Sequence, residues 1–256
     1  ALLKCWINPK RQFYSKDSAR GKLGIYSIPI LNPAGVARET RANARGVDLN
    51  RNSGVRAENA LPFFGGHGIS AALPYFQGKA LQRESRALFR FLREFALRRR
   101  KQVQLALDIH SGYGTQNFLW WPYSYSKRTV FQNSAFQAVA DRLRQRHPLY
   151  RIEPMSLSYQ THGDLWDKAL LDFEHRVKEG QYKKSLFLPF TLEIGTWHEI
   201  KKNPRRLLSR EKIFDPPAES RKAYLREHRA MLWDFLHSYV DRSHRRLLRG
   251  RIPESD

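Results

Sequence analysis

The chain has 256 residues, 41% hydrophobic and 12% aromatic, with a formal net charge of +22 and a pI near 10.4. That composition excludes a disordered polar chain, and no apolar run approaches the roughly 20 residues a bilayer-spanning helix needs. The single cysteine, Cys5, excludes an internal disulfide and any multi-cysteine zinc site.

In chain order, residues 1–7 read as a helix end and residues 8–22 as a polar, basic loop. Residues 23–31 are apolar and β-rich, interrupted by Pro29, and the turn residues of Asn32-Pro-Ala-Gly35 end that strand. Residues 53–80 hold several Gly and Pro and no sustained period, which predicts loop. Leu81, Leu88, Leu92 and Phe95 recur at helical spacing and predict a helix over 81–101. Val103, Leu105, Leu107 and Ile109 alternate with polar or small residues, giving a strand that ends at His110.

A second, aromatic strand is expected over 117–121, and helices over 129–146 and 165–178, the first stopping before Pro148. The apolar run 185–194 predicts a strand, with Pro189 arguing for an edge or a bulge. Leu225, Leu232, Leu236 and Tyr239 share a face of a last helix. No repeat and no Gly/Ser/Pro linker divides the chain, so the reading is one α/β domain over 1–256 with a mixed sheet.

The positive field attracts nucleic acid, acidic polymers and anionic membrane surfaces. Its basic runs, at 98–101, 201–206 and 242–251, carry almost no interleaved aromatics on which bases could stack. They read as solvated helix faces, against the alternative of a dedicated nucleic-acid site, and leave non-specific polyanion binding open. One cysteine fits a reducing compartment, so the cytoplasm is the expected location, with export left open.

Three features carry chemistry. Asn50 and Arg51 stand together after a short apolar step, with Asp48 before them and Arg41 upstream. A guanidinium fork grips a carboxylate with two hydrogen bonds and a neighbouring amide adds a donor, which suits a substrate with a free carboxylate end. The alternative is a solvated polar turn. His110 ends a strand, where active groups of open α/β sheets gather, though a lone histidine there is more often structural. Glu193 interrupts an apolar strand, and a buried carboxylate needs a metal or a partner, here any of many arginines.

Taken in order, Asn32-Pro-Ala-Gly35, Arg41 with Gly46-Val-Asp-Leu-Asn-Arg-Asn52, Asp108-Ile-His-Ser111 and Thr191-Leu-Glu-Ile-Gly195 resemble the zinc carboxypeptidase family. The resemblance implies a three-layer α/β/α fold with a mixed, mostly parallel sheet and a Zn2+ cofactor. It implies His110 as a zinc ligand, Glu193 as the general base on metal-activated water, and Arg41 on the scissile carbonyl. Asn50 and Arg51 would bind the terminal carboxylate of a peptide. Asp48 would orient a metal ligand, or else close its own turn. Tyr159 falls where the family carries an active-site tyrosine on a mobile loop, against a plain packed aromatic. Asp164 falls near the side-chain specificity pocket, where an acid favours a basic terminal residue, but helix capping explains it equally.

The family's first two metal ligands lie in a His-x-x-Glu motif, and none occurs in these 256 residues. The resemblance therefore implies an N-terminally incomplete domain, its first strands missing, with at most one zinc ligand and no activity without the others. His67, His162 and His198 read as surface or packing residues. Two alternatives stand beside the peptidase: an amidase acting on cell-wall peptides or small amides with a free carboxylate, and a non-catalytic polyanion-binding protein of this fold.

Overall fold

A four-stranded sheet in the order β1-β4-β2-β3 forms the centre: β1 Val103–Gly112, β2 Phe118–Trp121, β3 Arg151–Pro154 and β4 Leu186–Gly195. The β1/β4 and β2/β3 pairs are parallel and the β2/β4 pair antiparallel, so the sheet is mixed and mostly parallel. The computed structural model describes residues 26–97, 103–112, 116–182, 185–195, 218–240 and 248. The expectations for residues 1–22, the basic runs 98–101, 201–206 and 242–247, and His198 lie outside the described residues.

The helices are α1 Pro33–Arg38, α2 Arg83–Phe91, α3 Asn133–Arg146, α4 Leu165–Lys178 and α5 Ala218–Val240. Strand β4 is buried on both faces, as its near-continuous apolar run requires. On one face Phe187 meets Phe173 and Trp166 of α4, with ring centroids 5.7 and 6.2 Å apart. On the other, Phe190 meets Phe136 of α3 at 5.4 Å and Phe235 of α5 at 5.5 Å. Helices therefore cover both faces and the fold is a three-layer α/β/α sandwich. None of the helices described is long and apolar enough to cross a membrane.

Several boundaries differ from expectation. Residues 26–31 form no strand, since Tyr26 and Ile28 point to solvent and Pro29 has no N–H to give a ladder. Asn32 instead caps α1, its Oδ1 accepting from Gly35 N at 3.0 Å with Pro33 at the first helical position. Helix α2 ends at Phe91 and continues as one wider helical turn, Leu92–Ala96. Helix α3 starts later than its pattern because Gln132 is left-handed, φ 65°. The Gln132 amide binds Ser185 O at 2.8 Å and so ties the helix start to the entry of β4. Pro189 lies in an inner strand, between β1 and β2, but the pairing with β2 covers only Thr191–Glu193. At Pro189 β1 is the one strand paired with it among the described residues, so a missing donor is tolerated there.

Candidate active site

The parallel register of β1 and β4 sets His110 beside Glu193 at the C-terminal ends of both strands. His110 Nδ1 lies 3.1 Å from Glu193 Oε1, and His110 Nε2 lies 2.9 Å from Asp108 Oδ2. Asp108 and His110 are two apart on one strand and so share a face. The buried Trp120 donates its indole N–H to Glu193 Oε1 at 3.4 Å. Burial works against charge on all three titratable groups, but their mutual attraction prevails. Asp108 and then Glu193 hold the imidazole well above its usual range. His110, helped by Arg41, holds the Glu193 carboxylate below its own, so Glu193 is ionised at neutral pH.

The Arg41–Arg51 region folds from the sequence outward. Val47 and Leu49 are buried and anchor the segment, and Asp48 caps the single tight turn Leu49–Arg51 by accepting from Asn50 N at 3.0 Å. The other Asp48 oxygen accepts from Arg41 Nε at 2.7 Å. Asp48 thus closes its own turn and braces Arg41. Arg51 is only 7% exposed. Its Nε donates to Phe64 O at 3.1 Å and a terminal nitrogen donates to Asn50 O at 2.9 Å, which fixes the guanidinium against the turn. Asn50 is half-buried beside it. Asn52 holds the next loop, donating to Gln77 O at 2.8 Å and Ala80 O at 2.9 Å.

Tyr159 reaches the same place from a third segment. The residue is 40% exposed, yet burial at its hydroxyl raises that group above its usual range. The charges acting on it are Arg51, Glu193 and Arg41. Its segment, expected to be a mobile loop, is tied down by backbone bonds. Leu61 N donates to Gln160 O at 3.0 Å, His162 N to Gly65 O at 2.8 Å, and Gly163 N to Val55 O at 2.8 Å. Gly163 is required: its φ is 69°, and a Cβ there would sit 1.9 Å from Arg51 O.

Asp164 caps α4, its Oδ1 accepting from Asp167 N at 3.0 Å. It is 2% exposed, and burial raises its carboxyl to about 6 despite the pull of Arg51 and His110. Asp167, pushed well above its range by burial and by Asp164, accepts from Ser124 N at 2.9 Å, Ser124 Oγ at 2.6 Å and Tyr125 N at 2.9 Å. His67 and His162 do structural work, stacked on Phe63 at 4.8 Å and accepting from Ala57 N at 2.9 Å respectively.

His110, Glu193, Arg41, Arg51, Tyr159 and Asp164 therefore form one electrostatic neighbourhood, drawn from four stretches of chain. Sequence reasoning missed two neighbours and gave a third, Asp108, no role, although strand alternation sets it on the face of His110. Trp120 and Tyr75, whose ring lies under Arg41, sit in segments whose pairing no local pattern reveals. A catalytic zinc usually takes three protein ligands. Beside Glu193 the described residues bring one imidazole, His110, whose two ring nitrogens both face carboxylates. Among them no three His, Cys, Asp or Glu side chains are grouped to hold a metal, so these residues do not fit a zinc centre by themselves.

The sequence profile of the zinc carboxypeptidase family matches residues 18–227. Among solved structures, bovine thrombin-activatable fibrinolysis inhibitor, determined in complex with tick carboxypeptidase inhibitor, is similar at 18% identity and a TM-score of 0.38. The alignment covers 59% of this chain and 47% of that one, so it spans about half that protein's length. No curated protein sequence matches.

Proposed function

The chain belongs to the zinc carboxypeptidase family, and from that premise we propose a carboxypeptidase, removing the last residue of a peptide with a free carboxylate end. Residues 1–256 are read as part of one catalytic domain, and its single cysteine suits the cytoplasm. The observation that supports this reading is Glu193 paired with His110 at the C-terminal strand ends, with Arg41 attracted to that carboxylate and held with Arg51 over the one ring of Tyr75.

In this proposal Arg51, with Asn50, grips the terminal carboxylate as a bidentate fork. Arg41, braced by Asp48, points its charge at the scissile carbonyl and stabilises the oxyanion that develops there. Glu193 accepts the proton of the attacking water and hands it to the leaving amine. Tyr159, whose hydroxyl feels Arg51, Glu193 and Arg41, contacts the substrate from its fastened loop. Asp164 lines the floor beneath the terminal side chain. One of its oxygens caps α4, and an acid at that place would favour a basic terminal side chain. The family depends on zinc, and His110 is the residue of this chain assigned to it as a ligand.

The test is steady-state hydrolysis of a short peptide by the protein carrying its full set of zinc ligands, with metal content measured, and by its Glu193→Gln variant. The amide keeps the shape of the carboxylate but takes no proton, so kcat should fall by about a thousandfold with substrate binding retained. A Glu193→Gln protein that turns over normally would remove Glu193 from the chemistry.

A further inference from the structure

Two like charges share one aromatic ring in this site. The Arg41 guanidinium lies 5.0 Å and the Arg51 guanidinium 5.7 Å from the centroid of Tyr75, both within reach of attraction to a ring face. The backbone of Tyr75 is left-handed, φ 69°, a strained conformation for a bulky residue that glycine or asparagine adopts more easily. The surrounding loop holds it there. His67 N donates to Tyr75 O at 3.2 Å, His67 Nε2 is bound to Pro74 O at 2.7 Å, and Asp48 N donates to Phe76 O at 2.9 Å. The rings of Phe64 and Phe63 meet Tyr75 edge-on at 5.4 and 6.0 Å and leave it little freedom to swing away.

We propose that Tyr75 is a positioning residue of the carboxylate clamp, its ring face holding Arg41 and Arg51 at a set separation; this rests on the carboxypeptidase reading above. In a bound peptide the terminal carboxylate and the scissile carbonyl are joined through the backbone of one residue, so their spacing is fixed. Two cations serving those two groups must match that spacing. Left alone they would repel each other, and small misplacements at a reacting centre are costly. Asp48, which is attracted to both arginines, restrains them from one side. The electron-rich face of Tyr75 is the second restraint. Because the ring rather than the hydroxyl makes both contacts, phenylalanine can replace it.

The experiment measures binding of a short peptide with a free carboxylate, and of the same peptide amidated, to the Glu193→Gln protein so that nothing is consumed. Arg51→Ala, Tyr75→Phe, Tyr75→Leu and Tyr75→Gly are each added to that background, with thermal unfolding recorded for all. The expected result is a preference for the acid that Arg51→Ala abolishes and Tyr75→Phe keeps. Tyr75→Leu and Tyr75→Gly should lower that preference about tenfold while leaving affinity for the amide unchanged. Glycine adopts the left-handed backbone without strain, so Tyr75→Gly decides the matter if Tyr75→Leu fails to fold. A folded truncation that keeps the preference, with Arg51→Ala losing it, overturns the role of Tyr75 alone. Loss of folding in both truncations would make Tyr75 structural and overturn it too. No preference for the acid even before these changes would overturn the carboxylate clamp and this inference with it.

Discussion

At the scale of single residues, Arg51 carries two jobs at once. Its Nε binds Phe64 O at 3.1 Å and its charge faces the site, so it is both a loop fastener and the proposed anion grip. Arg51→Ala should raise KM by the equivalent of about 2–3 kcal/mol with a smaller effect on kcat, because the grip exists in ground state and transition state alike. Steady-state kinetics on a short peptide measure it, and a fall confined to kcat would contradict the grip. These residues were legible because the chemistry demands rare combinations. A carboxylate in an apolar strand, a histidine at a strand end and adjacent Asn and Arg stand out without any structure. Tyr75 does not, since an aromatic in an aperiodic loop has no pattern to betray it. Asp48 was readable as a turn-closing residue, whereas its ion pair with Arg41 depends on a fold between them.

At the scale of elements, the backbone of 160–163 and the start of α4 decide how firmly the site is built. Gly163→Ala should destabilise the protein by about 1–3 kcal/mol, because its left-handed φ and the nearby Arg51 carbonyl leave no room for a methyl group. Thermal or urea unfolding would show it, and an unchanged midpoint would refute the close approach. Asp164 gives a pH-dependent expectation. Its carboxyl is raised from 3.8 to about 6 in the folded chain, so between those values the folded state holds the extra proton. Stability contributed by this group therefore falls as pH rises through that window, by on the order of 2–3 kcal/mol with its partner Asp167 coupled to it. Asp164→Asn keeps the cap and removes the titration. The variant should match the parent near pH 4 and exceed it at pH 7 in urea unfolding; parallel curves would contradict the assignment. Helix α4 and strand β4 were readable in sequence because a capping aspartate and an unbroken apolar run mark them. The start of α3 was not, because Gln132 answers to β4 rather than to its own helix, and the strand expected over 23–31 lacks a ladder in its described part.

At the scale of the molecule, the sheet order is what makes a site at all. His110 and Glu193 are 83 positions apart and meet because β4 pairs directly with β1, a long-range choice no local pattern announces. Burying β4 on both faces gives the strand ends a rigid base, while Arg41, Arg51 and Tyr159 arrive on loops fastened to one another. The net charge of +22 sets a field that favours approach of carboxylate-bearing ends and other anions alike. Fold and family follow from these long-range features together with the residues matched over 18–227. The activity rests on whether the site reads a free carboxylate, and one measurement addresses that most directly. Affinity of the protein for a peptide with a free C-terminus and for the same peptide amidated is measured by calorimetry. The expected result is affinity for the free acid at least about a hundredfold above that for the amide, since an unmet buried guanidinium costs the amide complex a few kcal/mol. Equal affinities would contradict the carboxylate reading.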